Sequence, residues 1–98
     1  MKDKVTAFLD KYNLRTDPSV RYIDLVSEVG ELGKELIKAT DYGKKGFVRT
    51  DETVGEIGDC LFALFALSYE LGVDMPAALD VALAKYERRF KNKGNCGS

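Results

Sequence analysis

The chain contains no histidine, only two cysteines and no marked excess of either charge. The lack of histidine excludes Ser-His-Asp and Cys-His nucleophile activation, histidine general bases and zinc sites that use histidine. With 15 basic and 16 acidic residues the net charge is -1, which does not suggest nucleic acid or an anionic membrane as the main partner. Acid-base or metal chemistry must therefore come from Asp, Glu, Lys, Tyr or Cys.

Long apolar runs are also missing. The longest one, residues 60–67, is too short to span a bilayer, and the N-terminal residues lead into no segment of signal-peptide type. Cys60 lies in that apolar run and Cys96 in a polar tail, a distribution that favours reduced thiols over a disulfide framework. We therefore expect a cytoplasmic protein.

Apolar residues recur at helical spacing through most of the 98 residues, and no strand pattern of any length occurs. The pattern predicts helices over 3–12, 18–40 and 52–71, then a fourth that starts at Asp74 and reaches Phe90. Thr50 or Asp51 is suited to cap the third helix, and Gly72 to end it. The sequence thus predicts an all-α fold of four helices, with a single domain over 1–90 and a disordered tail over 91–98.

The third helix is expected to be apolar on every side over residues 61–67. A helix that is apolar all round is buried all round. Three other short helices can hardly surround it, so we expect a partner subunit to complete the bundle.

Two acidic pairs of similar sequence stand on the second and third helices, Glu28-Val-Gly-Glu31 and Glu56-Ile-Gly-Asp59. A spacing of three places each pair on one helix face. If the two helices pack side by side, four carboxylates converge, and some would take up protons unless a cation lay among them. Hard divalent cations prefer such an all-oxygen set of ligands. The pattern therefore predicts a divalent metal site.

An ordinary explanation also exists for these charges. Acidic pairs are common on solvated helix faces, and a salt-bridged bundle would pair these acids with nearby cations, namely Lys34, Lys38, Arg88 and Arg89. Lys85 and Arg89 could likewise form a solvated face near a helix C-terminus, where positive charge is favourable. Gly30 and Gly33 inside the second helix suggest close approach of a backbone or ligand, or else a tolerated defect.

The order of these features resembles the MazG-like nucleotide pyrophosphohydrolases of the all-α NTP pyrophosphatase superfamily. The resemblance covers residues 17–90 and rests on the two acidic motifs, the apolar helix that follows the second, and the ending Lys-Tyr-Glu-Arg-Arg-Phe at 85–90. It implies Mg²⁺-dependent hydrolysis, with Mn²⁺ as a possible substitute, of (deoxy)nucleoside triphosphates to monophosphate and pyrophosphate. Such a reaction would serve to clean the nucleotide pool.

The resemblance also assigns roles to residues. It implies that metal binding and catalysis fall to the four acids, Glu28, Glu31, Glu56 and Asp59. Lys85 and Arg89 match the triphosphate contacts, and Lys34 is included as a further substrate-binding candidate. The resemblance further implies a homodimer or homotetramer. The loop at 41–51, which carries Lys44, Lys45 and Arg49, is a candidate lid over the site.

The chain departs from the family pattern at several places. Ser27 stands where the family often has glutamate, and Glu52 where many members have lysine. The preferred base and the general base therefore stay open. The superfamily's dUTPases and phosphoribosyl-ATP pyrophosphohydrolases, which share the acidic motifs, are alternatives, as are a non-catalytic oligomeric helical module and a slow nucleotide-binding sensor.

Overall fold

A computed structural model describes residues 1–94 of the chain as four α-helices, with no strand among these residues. The helices are α1 (Lys2–Lys11), α2 (Pro18–Ala39), α3 (Asp51–Leu71) and α4 (Met75–Lys93). The predicted all-α class is confirmed. The limits of the first three helices lie within one residue of those that the sequence pattern predicts.

Local capping contacts explain why the helices begin and end where they do. The Asp17 carboxylate caps α2 by accepting a hydrogen bond from the backbone N–H of Ser19 at 2.8 Å. The Asp74 carboxylate caps α4 by accepting one from the backbone N–H of Ala77 at 3.2 Å. Thr50 and Thr53 exchange side-chain and backbone hydrogen bonds in a capping box at the start of α3. Gly72 ends α3 in the left-handed region at φ 68°, a conformation that favours glycine. These signals act within a few residues, so the sequence reveals them.

The predicted end of α4 at Phe90 is wrong, because the helix continues to Lys93 and is capped by Gly94 at φ 75°. Two lysines in its last turn explain the extension, since positive charge at a helix C-terminus is favourable. The rest of the expected tail, residues 95–98 with Cys96, lies outside the described residues.

The core lies between α3 and the two helices that precede it. α2 packs along α3, and α1 packs across the apolar half of α3. The Phe8 ring meets the Phe62 ring edge-on at a centroid distance of 5.8 Å. The buried apolar side chains are few, namely Leu9, Ala63, Phe65 and Ala66.

A polar network fixes the link between α1 and α2 to the end of α3. The Glu70 side chain, only 5% exposed, accepts hydrogen bonds from Arg15 Nε at 2.8 Å and from the Thr16 backbone N–H at 2.5 Å. The Arg15 guanidinium lies over the Tyr69 ring at 3.8 Å, and the Tyr69 hydroxyl donates to Asp10. The buried carboxylate therefore has both a charge partner and a backbone donor, as buried acids require.

α4 leaves the end of α3 at an angle of 101°. Lys2 donates to the Asp74 carboxylate and so ties the start of α4 to α1. Beyond that point no residue of α4 is buried, and its large apolar side chains are exposed, namely Leu79, Val81, Leu83, Tyr86 and Phe90. Among residues 1–94, no single helix has the length and apolar character needed to cross a membrane.

The single chain is more open than a compact domain of its size. Its radius of gyration is 16.6 Å, against about 13 Å for a typical domain of this length. Its accessible area is 7245 Å², against about 5,600 Å² for a compact monomer of this mass. Leu61 and Leu64 of α3 are 40% and 39% exposed, so the apolar half of α3 is not enclosed on all sides within one chain.

Glu70→Gln should lower the free energy of unfolding by about 1.5–3 kcal/mol, the usual contribution of hydrogen bonds to a charged group. The hydrogen bond from the Thr16 backbone and the Arg15 guanidinium hold the pKa of Glu70 below its ordinary value. The stabilisation by Glu70 is therefore complete above that ordinary value, near pH 4.3, and is lost as the pH falls through the lower pKa of the folded state. Urea denaturation between pH 3 and 7 measures both effects.

Glu87→Gln is the matched control for this variant. Glu87 lies on α4 and pairs with Lys91 at 3.9 Å through an exposed side chain. Exposed pairs contribute little, so this variant should unfold like the parent at pH 7. Equal stability of Glu70→Gln and the parent at pH 7 would show that the buried network does not hold α1 in place.

Candidate metal centre

Three carboxylates converge where α2 lies against α3. Glu28 comes from α2, while Glu56 and Asp59 come from one face of α3, and one carboxylate oxygen of each lies within 4.8 Å of the others. Glu28 and Glu56 are half-buried and Asp59 is exposed. We call these three residues the acidic cluster.

The cluster concentrates negative charge. Partial burial raises the pKa of Glu56, and the charges of Asp59 and Glu28 raise it further, followed by those of Glu31 and Glu35. Burial and the same three cluster carboxylates raise the pKa of the neighbouring Cys60 thiol, which keeps it protonated. In both shifts burial is the larger cause, and the neighbouring carboxylates make a further negative charge less favourable.

Glu31, the fourth acid that the sequence placed in the metal site, lies outside the cluster. Its side chain is exposed, although its charge is near enough to contribute to the raised pKa of Glu56. The structure therefore brings together three of the four predicted carboxylates.

The five ion pairs found among residues 1–94 include none of the four acids. Lys38, one of the proposed partners, lies 4.0 Å from Glu35 instead. Lys34, the further substrate-binding candidate, is exposed on α2. The cluster thus keeps its charge without a lysine or arginine ion pair in the described part of the chain.

Lys85 and Arg89, the predicted triphosphate contacts, are half-buried on α4. Because α4 departs from α3 at 101°, the helical rise places Lys85 roughly 20 Å from Asp59 of the same chain. The loop cations Lys44, Lys45 and Arg49 are all exposed. The acidic cluster and the pair on α4 therefore occupy different parts of the single chain.

A cavity of about 310 Å³ adjoins the cluster, and sequence reasoning missed part of its lining. Its lining residues are Arg21, Asp24, Glu28, Asp59, Phe62 and Ala63. Arg21, Glu28 and Glu35 are spaced by seven residues, which puts all three on one face of α2. That spacing is visible in the sequence, but it is common in helices and does not by itself identify a residue of a site.

The donor set fits a hard divalent cation. Three carboxylates from two packed helices offer oxygen ligands only, and Mg²⁺ is usually held by one or two carboxylates, with water and substrate phosphates as the remaining ligands. Glu28, Glu56 and Asp59 would hold the ion, and the adjoining cavity leaves room for a substrate beside it.

Mg²⁺ or Mn²⁺ should raise the melting temperature of the protein, because a ligand bound only by the folded state stabilises it. At an ion concentration one hundred times the Kd the gain is about 2.7 kcal/mol. Glu56→Gln should abolish this gain. Differential scanning calorimetry with and without the ion measures it, and equal gains in both proteins would remove Glu56 from the site.

The metal-free Glu56→Gln protein should itself melt higher than the metal-free parent at neutral pH. Because the pKa of Glu56 is raised in the folded state, its ionisation destabilises the fold above that pKa. The difference in melting temperature between the two metal-free proteins should shrink as the pH falls through the raised pKa of Glu56 towards the ordinary pKa of a glutamate. Glu52→Gln, at an exposed acid in the first turn of the same helix, is the control and should not melt higher than the parent, because an acid at a helix N-terminus is favourable.

Comparison with known proteins yields no relative from which a function could be transferred. No family model, curated protein or solved structure matches the chain. The chemistry of the acidic cluster and its cavity is therefore the basis for assigning a function.

Proposed function

We propose that this protein is a Mg²⁺-dependent hydrolase that converts (deoxy)nucleoside triphosphates to nucleoside monophosphates and pyrophosphate, and so serves to clean the nucleotide pool. The observation that carries the proposal is the convergence of Glu28, Glu56 and Asp59, without ion-pair partners among residues 1–94, beside an open cavity. The resemblance of residues 17–90 to MazG-like pyrophosphohydrolases supports the same reaction and the choice of the bond between the α and β phosphates.

Hydrolysis of a phosphoanhydride requires positive charge near the departing oxygens and an oriented water. Bound Mg²⁺ supplies charge neutralisation at the phosphates. Glu28, Glu56 and Asp59 would hold the ion, and one carboxylate of the acidic cluster would accept the proton from the attacking water. Desolvation and like charge raise the pKa of Glu56, and this favours proton uptake at that residue when no cation is bound.

A second copy of the chain is part of this proposal. The accessible area exceeds that of a compact monomer by about 1,600 Å² per chain, within the range that obligate homodimer interfaces bury. The exposed apolar face of α4, with Val81 71% exposed, supplies a surface of that kind. An α4 that packs on the partner could bring Lys85 and Arg89 to the partner's acidic cluster.

The first test is a panel of nucleoside and deoxynucleoside triphosphates with product analysis in the presence of Mg²⁺. We expect monophosphate and pyrophosphate, and no turnover by Glu56→Gln or Asp59→Asn. Orthophosphate as the direct product would reject the cleavage site. Tight nucleotide binding without product would indicate a sensor, and neither binding nor turnover would indicate a non-catalytic helical module.

Arg89→Ala should melt like the parent and still bind Mg²⁺, but its kcat/KM should fall roughly thirtyfold to thousandfold. This is the usual effect of removing about 2–4 kcal/mol of transition-state stabilisation from a phosphate contact. The exposed neighbour Arg88 provides the control, and Arg88→Ala should keep nearly full activity. Near-normal turnover by Arg89→Ala would return this residue to a solvated helix face.

Mixing two inactive variants tests whether α4 acts on the partner. Light scattering should first show at least a dimer at micromolar concentration. Suppose that each site combines the acidic cluster of one chain with α4 of the other. A mixed dimer of one Glu56→Gln chain and one Arg89→Ala chain then has one site with both changes and one site with neither. Random exchange should therefore restore about a quarter of the parent activity. No restoration, with mixed dimers shown by mass spectrometry, would place both residues in the same chain's site.

A further inference from the structure

The cavity beside the acidic cluster contains one cation among its lining residues. Arg21 lines it together with Asp24, Glu28 and Asp59, so three of the four charged groups are carboxylates. The Arg21 side chain is only 12% exposed, and its seven-residue spacing from Glu28 puts both on one face of α2. A guanidinium that is mostly buried requires partners for its N–H donors, since arginine is almost never buried without them.

The contacts within the chain use only part of its hydrogen-bonding capacity. A guanidinium has five N–H donors, and one Nη donates to the Leu14 carbonyl. The other Nη lies 3.8 Å from the Asp24 carboxylate, which is an ion pair but too long for a hydrogen bond. The Nε–H is buried and has no acceptor. A buried donor without an acceptor is rare in folded proteins and needs an explanation.

We infer that Arg21 binds an anion in this cavity, namely a phosphate group of the nucleotide or of the pyrophosphate product. This inference rests on the proposed function and adds to it a residue that the motif resemblance does not include. The guanidinium fork matches phosphate oxygens and forms two parallel hydrogen bonds with them. Because three carboxylates line the same cavity, an anion enters only when a divalent cation at the acidic cluster has offset their charge. Anion binding therefore depends on both the cation and Arg21.

A purely structural role for Arg21 makes a different prediction. Arg21 anchors the Leu14 carbonyl, and its charge is among those that lower the pKa of Glu70. Arg15 belongs to the same structural network and pairs directly with Glu70, yet it does not line the cavity. Arg15→Gln is therefore a matched control that loosens the network and leaves the cavity lining intact.

The test measures inorganic pyrophosphate binding to the full chain by isothermal titration calorimetry, with and without Mg²⁺. The parent should bind pyrophosphate only with Mg²⁺. Arg21→Gln should weaken binding about tenfold to a hundredfold, the effect of losing hydrogen bonds to a charged group. Arg21→Lys should lose less, because lysine keeps the charge but not the fork. Arg15→Gln should bind like the parent even if it melts lower.

Circular dichroism at the titration temperature identifies variants that fail to fold. If Arg21→Gln fails to fold, Arg21→Lys takes its place in the comparison. Equal affinity of the parent and both Arg21 variants would overturn the inference, as would equal loss in Arg21→Gln and Arg15→Gln. If the parent hydrolyses nucleotides but Arg21→Gln keeps pyrophosphate affinity and KM, only the role of Arg21 fails. If the parent neither turns over nor binds pyrophosphate with Mg²⁺, the proposed function and this inference fail together.

Discussion

The packing of α2 along α3 is the contact on which the other features of this molecule depend. It brings Glu28 within 4.8 Å of the pair on the facing helix, and the resulting crowding of charge contributes to the raised pKa of Glu56. Without a cation this arrangement works against the fold, because like charges destabilise each other when partly buried. A divalent ion bound among the three carboxylates would reverse the sign of that contribution. The same helix packing therefore stabilises the chain through its apolar contacts and concentrates negative charge through its polar ones.

The sequence predicted most of what local interactions determine. Asp17, Thr50 and Asp74 start helices because their side chains accept hydrogen bonds from N–H groups two or three residues ahead. The spacing of three within each acidic motif likewise predicted a shared helix face. It could not predict that Glu31 would lie outside the cluster. Three residues turn a helix by about 300°, so which member of such a pair faces the neighbouring helix depends on how the whole helix is rotated.

Features that depend on distant parts of the chain were not visible in the sequence. The 101° turn into α4 follows from how Gly72 and the residues after it are held, and one of those contacts joins Asp74 to Lys2, 72 positions away. The orphaned N–H of Arg21 is a consequence of where the Leu14 carbonyl lies and of what surrounds the guanidinium. An arginine seven residues before a glutamate is common in helices. Only burial beside a cavity distinguishes this one from a solvated side chain.

Each acidic motif contains a glycine that the packing of the single chain does not explain. Gly30 and Gly58 lie inside helices, where each costs about 1 kcal/mol relative to alanine. Within the single chain an added Cβ at either position would meet nothing within 4 Å, so no close backbone approach accounts for them. The same chain leaves the apolar face of α4 exposed and exceeds the expected surface of a compact monomer. A neighbouring copy that covers α4 and approaches these glycines would offset all of these costs with one contact.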